Sequence, residues 1–392
     1  MGNRRLCDVL VVNTGYGSNQ RIPLLSVLMS MSTDPFQVYN RVFFSLFLLL
    51  LCVIFGLLIH MKPLVGELTR MGGYLESQIG WTTLQEHFPQ PLFTRARSIE
   101  EYDRPFDVVV FGDSFSDDLS KGWQNYLAAA TGWSIITLNM NEIDIDRVLS
   151  SRMYRSAPPR LFIYESVERN FIDNHDRCPN QDGNSVHRHP EPLRLPPANP
   201  MAVEIEWITM DDYPQVPVEG IGITNAVNYL RKALYRRIPD FNPTEVHEFK
   251  LSRDNLFSNA VSDRLLVLTR DFNNLGVTPH QIATANCSLM ALQSRIEAAG
   301  RTTFLTLGFP DKTTVYADYI EDPMYRNMSV IGLFENEPGL HMTKLKDEFK
   351  AAVEDGVIDF YLPNDSHCGY LGYQMAAYAV LGALERRDLV HQ

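Results

Sequence analysis

From Val42 to Ile59 the chain reads VFFSLFLLLLCVIFGLLI, an apolar run with no charge inside it. About 20 such residues are needed to cross a bilayer, so residues 42–60 read as a transmembrane anchor. A cleaved signal peptide fits less well: the polar lead is long, the run exceeds an ordinary h-region, and no Ala-x-Ala site follows. Residues 1–41 are mixed and aperiodic and receive no fold assignment, and Met29 or Met31 are alternative starts. Arg21 and Arg41 before the run nearly balance Lys62 and Arg70 after it. That balance leaves the positive-inside rule undecided, but a large C-terminal domain behind one N-terminal anchor usually faces outward, so residues from about 62 to 392 are expected on the non-cytoplasmic side.

Beyond an ordered lead-in over residues 61–105, apolar strand patterns alternate with helical ones. Continuous Val/Ile/Phe runs predict buried strands at 106–111, 133–138, 161–165, 302–307 and 357–362. Helical patterns fall at about 121–130, closing at Gly132, and at 144–155, 279–299, 343–354 and 371–385. This alternation predicts an α/β domain over 106–392, a parallel sheet flanked by helices with right-handed crossovers. The rhythm breaks over about 174–270, which reads as an insertion or cap. His175, His187 and His189 lie in a Pro- and Asn-rich part of it, read as a solvated loop rather than a metal site. Arg231, Lys232, Arg236 and Arg237 form a basic helical patch, read as a solvated face with anionic headgroups or acidic glycans as the alternative partner.

Composition narrows the function. A net charge of −12 and a pI near 5.3 argue against nucleic acid as a partner. The five cysteines show no paired C-x-x-C spacing, so no structural zinc is expected. In an oxidising compartment Cys178, Cys287 and Cys368 allow at most one intramolecular disulfide, with the pairing open.

The chemistry gathers at strand ends. The run FDVVVF stops at Gly112-Asp113-Ser114, and 357–362 is followed by Asp365-Ser366-His367. Carboxyl ends of strands are where open α/β sheets keep their sites. A serine there needs a base oriented by an acid, and Asp365 and His367 suit those roles. Each block also reads as a capping or Asx turn. Asn139 ends its strand as a turn residue. Arg169 is a candidate for substrate binding or for an ion pair with Glu165 or Glu168. Lys312 and Tyr316 line the site or support it. Cys368, beside His367, is set aside as a nucleophile because Ser114 holds the better-formed turn.

These blocks resemble the SGNH/GDSL superfamily, and within it the alginate O-acetyltransferase-like proteins of exopolysaccharide modification. The likeness is carried by Gly112-Asp113-Ser114-Phe115-Ser116, Glu165-Ser166-Val167-Glu168-Arg169-Asn170, Pro310-Asp311-Lys312 with Val315-Tyr316, and Asp365-Ser366-His367 with Gly372. The Asp-x-His block follows the serine block, as in ordinary SGNH esterases, whereas in the alginate enzymes it precedes it. The resemblance implies Ser114 as nucleophile, His367 as base and Asp365 as its orienter, with the Ser114 backbone N–H among the oxyanion-hole donors, Asn139 a candidate for another, and no metal or cofactor. It implies an O-acetyltransferase anchored in a bacterial inner membrane, its domain in the periplasm, acting on a polysaccharide. A multi-pass membrane acyltransferase would hand over the acyl group. A carbohydrate esterase and a non-catalytic glycan-binding protein are the alternatives.

Overall fold

The computed structural model describes residues 35–60, 65–179, 201–212, 223–238 and 244–390. The readings on residues 1–34, with Met29 and Met31, and on His187 and His189 lie outside the described residues. Pro35–His60 is one helix of 26 residues, seven residues longer at its start than the apolar run. Its stretch Pro35–Gly56 has a mean hydropathy of 2.2 and is long and apolar enough to cross a membrane. The chain divides into two compact units, Met1–Gly56 and Leu57–Gln392.

The second unit contains strands β1 (Gln85–His87), β2 (Thr94–Ala96), β3 (Val108–Gly112), β4 (Ile135–Asn139), β5 (Leu161–Val167), β6 (Glu206–Ile208), β7 (Val246–Lys250), β8 (Arg264–Leu268) and β9 (Thr303–Phe309). Five make the main sheet, in the order β2-β4-β3-β5-β9, and all neighbours are parallel. The chain first lays down the edge strand β2, then the central β3, adds β4 between the two, and crosses to the other side of β3 for β5 and β9. The reversal between β4 and β5 puts the switch point outside the carboxyl ends of β3 and β5, where such sheets bind ligands.

Alternate residues of the strands feed two cores. Val108, Val110, Ile135, Leu161, Ile163, Leu305 and Leu307 face Trp123 and Leu127 of the Trp123–Thr131 helix and Tyr373, Val380 and Leu384 of the Tyr370–Val390 helix. Val109, Phe111, Ile136, Leu138, Phe162, Tyr164 and Phe304 face Ala285, Leu289 and Ile296 of the Pro279–Glu297 helix. Burial on both faces is why these strands read as unbroken apolar runs. Each such side chain contributes about 1.5–3 kcal/mol of transfer free energy.

Three expectations need correction. The sheet begins before residue 106, because β2 in the lead-in pairs with β4. The run 357–362 is not a strand of the sheet: Phe360, Tyr361 and Leu362 are buried, but Asp359 adopts φ 55° and the segment makes a lone bridge, Tyr361 to Cys368. The helix expected over 144–155 is two, Ile145–Ser150 and Arg152–Ser156, because Ser151 is extended and its hydroxyl caps the second. The described parts of 174–270 add no strand to the parallel sheet. They supply β6, paired antiparallel with β1, and the β7–β8 hairpin. Val246, Leu266 and Leu268 of the hairpin pack on Leu68, Tyr74 and Ile79 of the lead-in. The basic patch is partly engaged there, Lys232 Nζ donating to the Arg70 carbonyl at 2.7 Å and Arg236 Nη1 to that of Gly73 at 2.6 Å.

Candidate active site

At the end of β3 the chain turns through Asp113 into one 3-10 turn, Ser114–Ser116. Asp113 fixes the turn: Oδ1 accepts from Phe115 N at 3.0 Å, and Oδ2 from Val167 N at 3.0 Å and Asn170 Nδ2 at 3.2 Å. Behind it, Glu165 Oε2 accepts from Asp113 N at 3.0 Å and Ser116 Oγ at 2.7 Å, and Trp123 Nε1 donates to Ser116 Oγ at 3.0 Å. Burial, then the Asp113 charge, push the Glu165 carboxyl well above its ordinary range. The turn needs Gly112, since a Cβ there would stand 2.6 Å from Glu165 Oε2. With its neighbours buried and bonded, Ser114 alone in the turn is exposed.

Ser114 Oγ lies 2.9 Å from His367 Nε2, and His367 Nδ1 lies 2.6 Å from Asp365 Oδ1. Asp365 Oδ1 also accepts from His367 N at 3.1 Å. With Nδ1–H donating to the carboxylate, Nε2 is left to accept the serine proton. The Phe115 ring supports the imidazole, centroids 4.6 Å apart. Burial pushes the Asp365 carboxyl up, but the His367 charge and hydrogen bond, with Lys121 behind them, hold it below the carboxylate range. For His367, burial pushes the pKa down, while Asp365 and then Glu67 outweigh burial and Lys121 and leave it raised.

The remaining sequence candidates divide. Asn139 ends β4 opposite Gly112. Its Oδ1 accepts from Asn141 N at 2.9 Å, and its Nδ2 has no hydrogen-bond partner among the described residues. The Ser114 N–H has none either. Lys312 is buried: Nζ donates to the carbonyls of Leu362 at 2.8 Å, Pro363 at 3.3 Å and Asp365 at 3.0 Å, clamping the loop that carries Asp365 and His367 from beneath. Tyr316 is fully buried and its hydroxyl accepts from Tyr361 N at 3.2 Å, a support for the same loop. Arg169 pairs with neither Glu165 nor Glu168. Its Nη1 meets Asp311 Oδ1 at 2.6 Å and Asp271 Oδ1 at 3.3 Å, all three buried, and its guanidinium lies 5.9 Å from the centre of the Phe115 ring. Glu168 instead takes backbone N–H groups of Asp311, Val330 and Ile331. Burial pushes Asp271 up to about 6 against the pull of Arg169.

Three groups at the site carried no sequence signal. Glu67 belongs to a short helix of the lead-in, yet its Oε2 lies 4.0 Å from His367 Nδ1 and accepts from Ser366 Oγ. Asp271 lies beyond the insertion, and Lys121, paired with Asp118 at 3.6 Å, sets a positive charge near Asp365 and His367. Glu67, Asp365 and His367 stand close enough to hold a cation. Their near atoms are already engaged by proton donors and acceptors, which suits proton transfer.

His175 is not in a solvated loop. It is buried, its Nδ1 is 3.0 Å from Ser288 Oγ, and burial pushes its pKa down to about 4. It helps line a cavity of about 510 Å³ with Phe111, Met140, Tyr164, Ser288 and Arg295, at the carboxyl ends of the central strands. Cys178 and Cys287 are disulfide-bonded with Cα atoms 5.4 Å apart, and Cys368 is free and buried. No family model, curated protein or solved structure matches this chain.

Proposed function

We propose that this protein is a membrane-anchored serine O-acyltransferase of the SGNH type, transferring an acetyl group to a hydroxyl of an extracytoplasmic polysaccharide. The observation that carries the reading is the unbroken hydrogen-bond path from the exposed Ser114 through His367 to Asp365. His367 Nε2 takes the Ser114 proton as Oγ attacks the donor's carbonyl carbon, and Asp365 stabilises the imidazolium. The tetrahedral oxyanion is met by the Ser114 N–H and Asn139 Nδ2, both without other partners among the described residues. Collapse expels the donor's leaving group, which takes the proton from His367, and leaves acyl-Ser114. A sugar hydroxyl then loses its proton to His367, attacks the ester carbon, and departs acylated as Ser114 recovers the proton.

The apolar Pro35–His60 helix supports an anchor, and the Cys178–Cys287 disulfide supports an oxidising compartment, read as the periplasm of a bacterium with the anchor in its inner membrane. Acetyl-CoA is confined to the cytoplasm, so the donor is handed over by a multi-pass membrane acyltransferase. The reaction as drawn uses no metal or cofactor. The exposure of Ser114 and the order of its motif blocks favour a second reading, a carbohydrate esterase running the same cycle with water as acceptor.

Incubation of the purified protein with an acetyl ester and candidate oligosaccharides, followed by mass spectrometry, separates the two. Ser114-dependent acetylation of a sugar supports transfer, since a bound hydroxyl gains on the order of 7–11 kcal/mol from proximity over a bimolecular encounter. Release of acetate unchanged by every glycan supports the esterase.

A further inference from the structure

The segment that follows the apolar helix is bonded into the loop that carries Asp365 and His367. Gly66 approaches that loop so closely that a Cβ would stand 2.1 Å from the Asn364 carbonyl oxygen. Leu68 N donates to that same oxygen at 3.0 Å, and Glu67 N donates to Asp365 Oδ2 at 3.3 Å. The buried Glu76 ties both sides together: Oε1 accepts from Val65 N at 2.8 Å and Gly66 N at 2.7 Å, and Oε2 from Asn364 Nδ2 at 2.9 Å. In this arrangement the Glu67 carboxylate accepts from Ser366 Oγ and stands 4.0 Å from His367 Nδ1.

We propose that Glu67 is a positioning residue for His367, and that through it the stretch leaving the apolar helix is a working part of the acyl-transfer site. The inference rests on the function proposed above for Ser114 and His367. A second carboxylate on the Nδ1 edge of the ring favours the imidazolium that forms when Ser114 gives up its proton. The bond to Ser366 holds the residue between Asp365 and His367, so one side chain steadies both partners. The charges facing His367 are Asp365 from its own loop, Glu67 from the Glu67–Gly72 helix and Lys121 from ahead of the Trp123–Thr131 helix. Lys312 lies below the loop, and Arg169 lies across the Phe115 ring. Glu67 follows His60 by seven residues, so covalent geometry keeps their Cα atoms within about 25 Å of each other.

The test uses the full chain in detergent, comparing wild type with Glu67→Gln and Glu67→Asp. Two quantities are read: the NMR titration midpoint of the His367 ring, and the pH dependence of Ser114 labelling by a fluorophosphonate probe. Glu67→Gln is expected to move the His367 midpoint and the acid limb of labelling down together by roughly half to one pH unit. The labelling plateau falls on the order of tenfold through lost alignment, and Glu67→Asp restores part of both. A His367 midpoint unmoved by Glu67→Gln overturns the proposal, whatever happens to the plateau. A midpoint that moves in a protein whose Ser114 never labels supports the Glu67–His367 coupling and counts against the acyl-transfer reading instead.

Discussion

Replacing Lys312 with methionine tests the clamp beneath the acid–base loop, and its signature lies in the pH dependence of stability. Burial pushes the ammonium down to about 7 from its ordinary 10.5, against the opposing pull of Asp365, Asp271 and Asp359. In the unfolded chain the group keeps its proton up to its ordinary value. Between about pH 7 and 10.5 the unfolded state therefore binds more protons, and stability rises with pH. At 1.36 kcal/mol per pH unit the whole window is worth about 5 kcal/mol, and the stretch from pH 7 to pH 9 about 2.7. These are ceilings, since water entering a loosened loop reduces them. Methionine has no such group. At pH 7 the variant loses three hydrogen bonds, each on the order of 1 kcal/mol, but is relieved of a buried ammonium, so the two effects largely offset. Raising the pH from 7 to 9 should then favour wild type over Lys312→Met by about 2 kcal/mol. Urea unfolding of both proteins at pH 6, 7, 8 and 9, followed through the buried Trp123 and Trp133, measures this difference. A gap between the two proteins that is the same at pH 7 and pH 9 would refute a Lys312 ammonium held down by burial.

Asp365→Asn should preserve the fold yet slow Ser114 acylation by about 10³–10⁴-fold, because an amide no longer selects the Nδ1–H tautomer; stopped-flow acylation with an activated ester reads it. Breaking the Cys178–Cys287 bond, which closes a sequence separation of 109, should lower stability by about 2–5 kcal/mol, seen as a lower melting temperature under reductant. A chain lacking residues 1–60 should stay in solution without detergent, since among the described residues one helix alone is long and apolar enough to cross a membrane; sedimentation in buffer checks it.

Much of the fold was legible because β3, β4, β5 and β9 are buried on both faces and so leave unbroken Val, Ile and Phe runs. The same rule misled at 357–362, where burial comes from a loop packed into the core. There the Asp359 carboxylate accepts from Ser258 N at 2.9 Å and Thr83 Oγ1 at 2.6 Å, and no ladder forms. Strand β2 is a three-residue Thr-Arg-Ala, too short to show a period, and it is defined by its pairing with β4. At the site, Ser114, Asp365 and His367 stood out because their chemistry demands small polar residues straight after apolar runs. Lys312 was visible but not its role, which depends on carbonyls 50 residues away in the chain. Glu67 reaches His367 across a sequence separation that no local pattern encodes.

In the proposed reaction Ser114 carries the acyl group. The most direct measurement is peptide mapping by mass spectrometry after a brief reaction of the full chain with an activated acetyl ester and an acid quench. One added acetyl group is expected on the peptide containing Ser114, absent from Ser114→Ala and strongly reduced in His367→Ala. No acetyl group on wild-type Ser114, or one carried instead by another residue such as Cys368 and indifferent to Ser114→Ala, would contradict it.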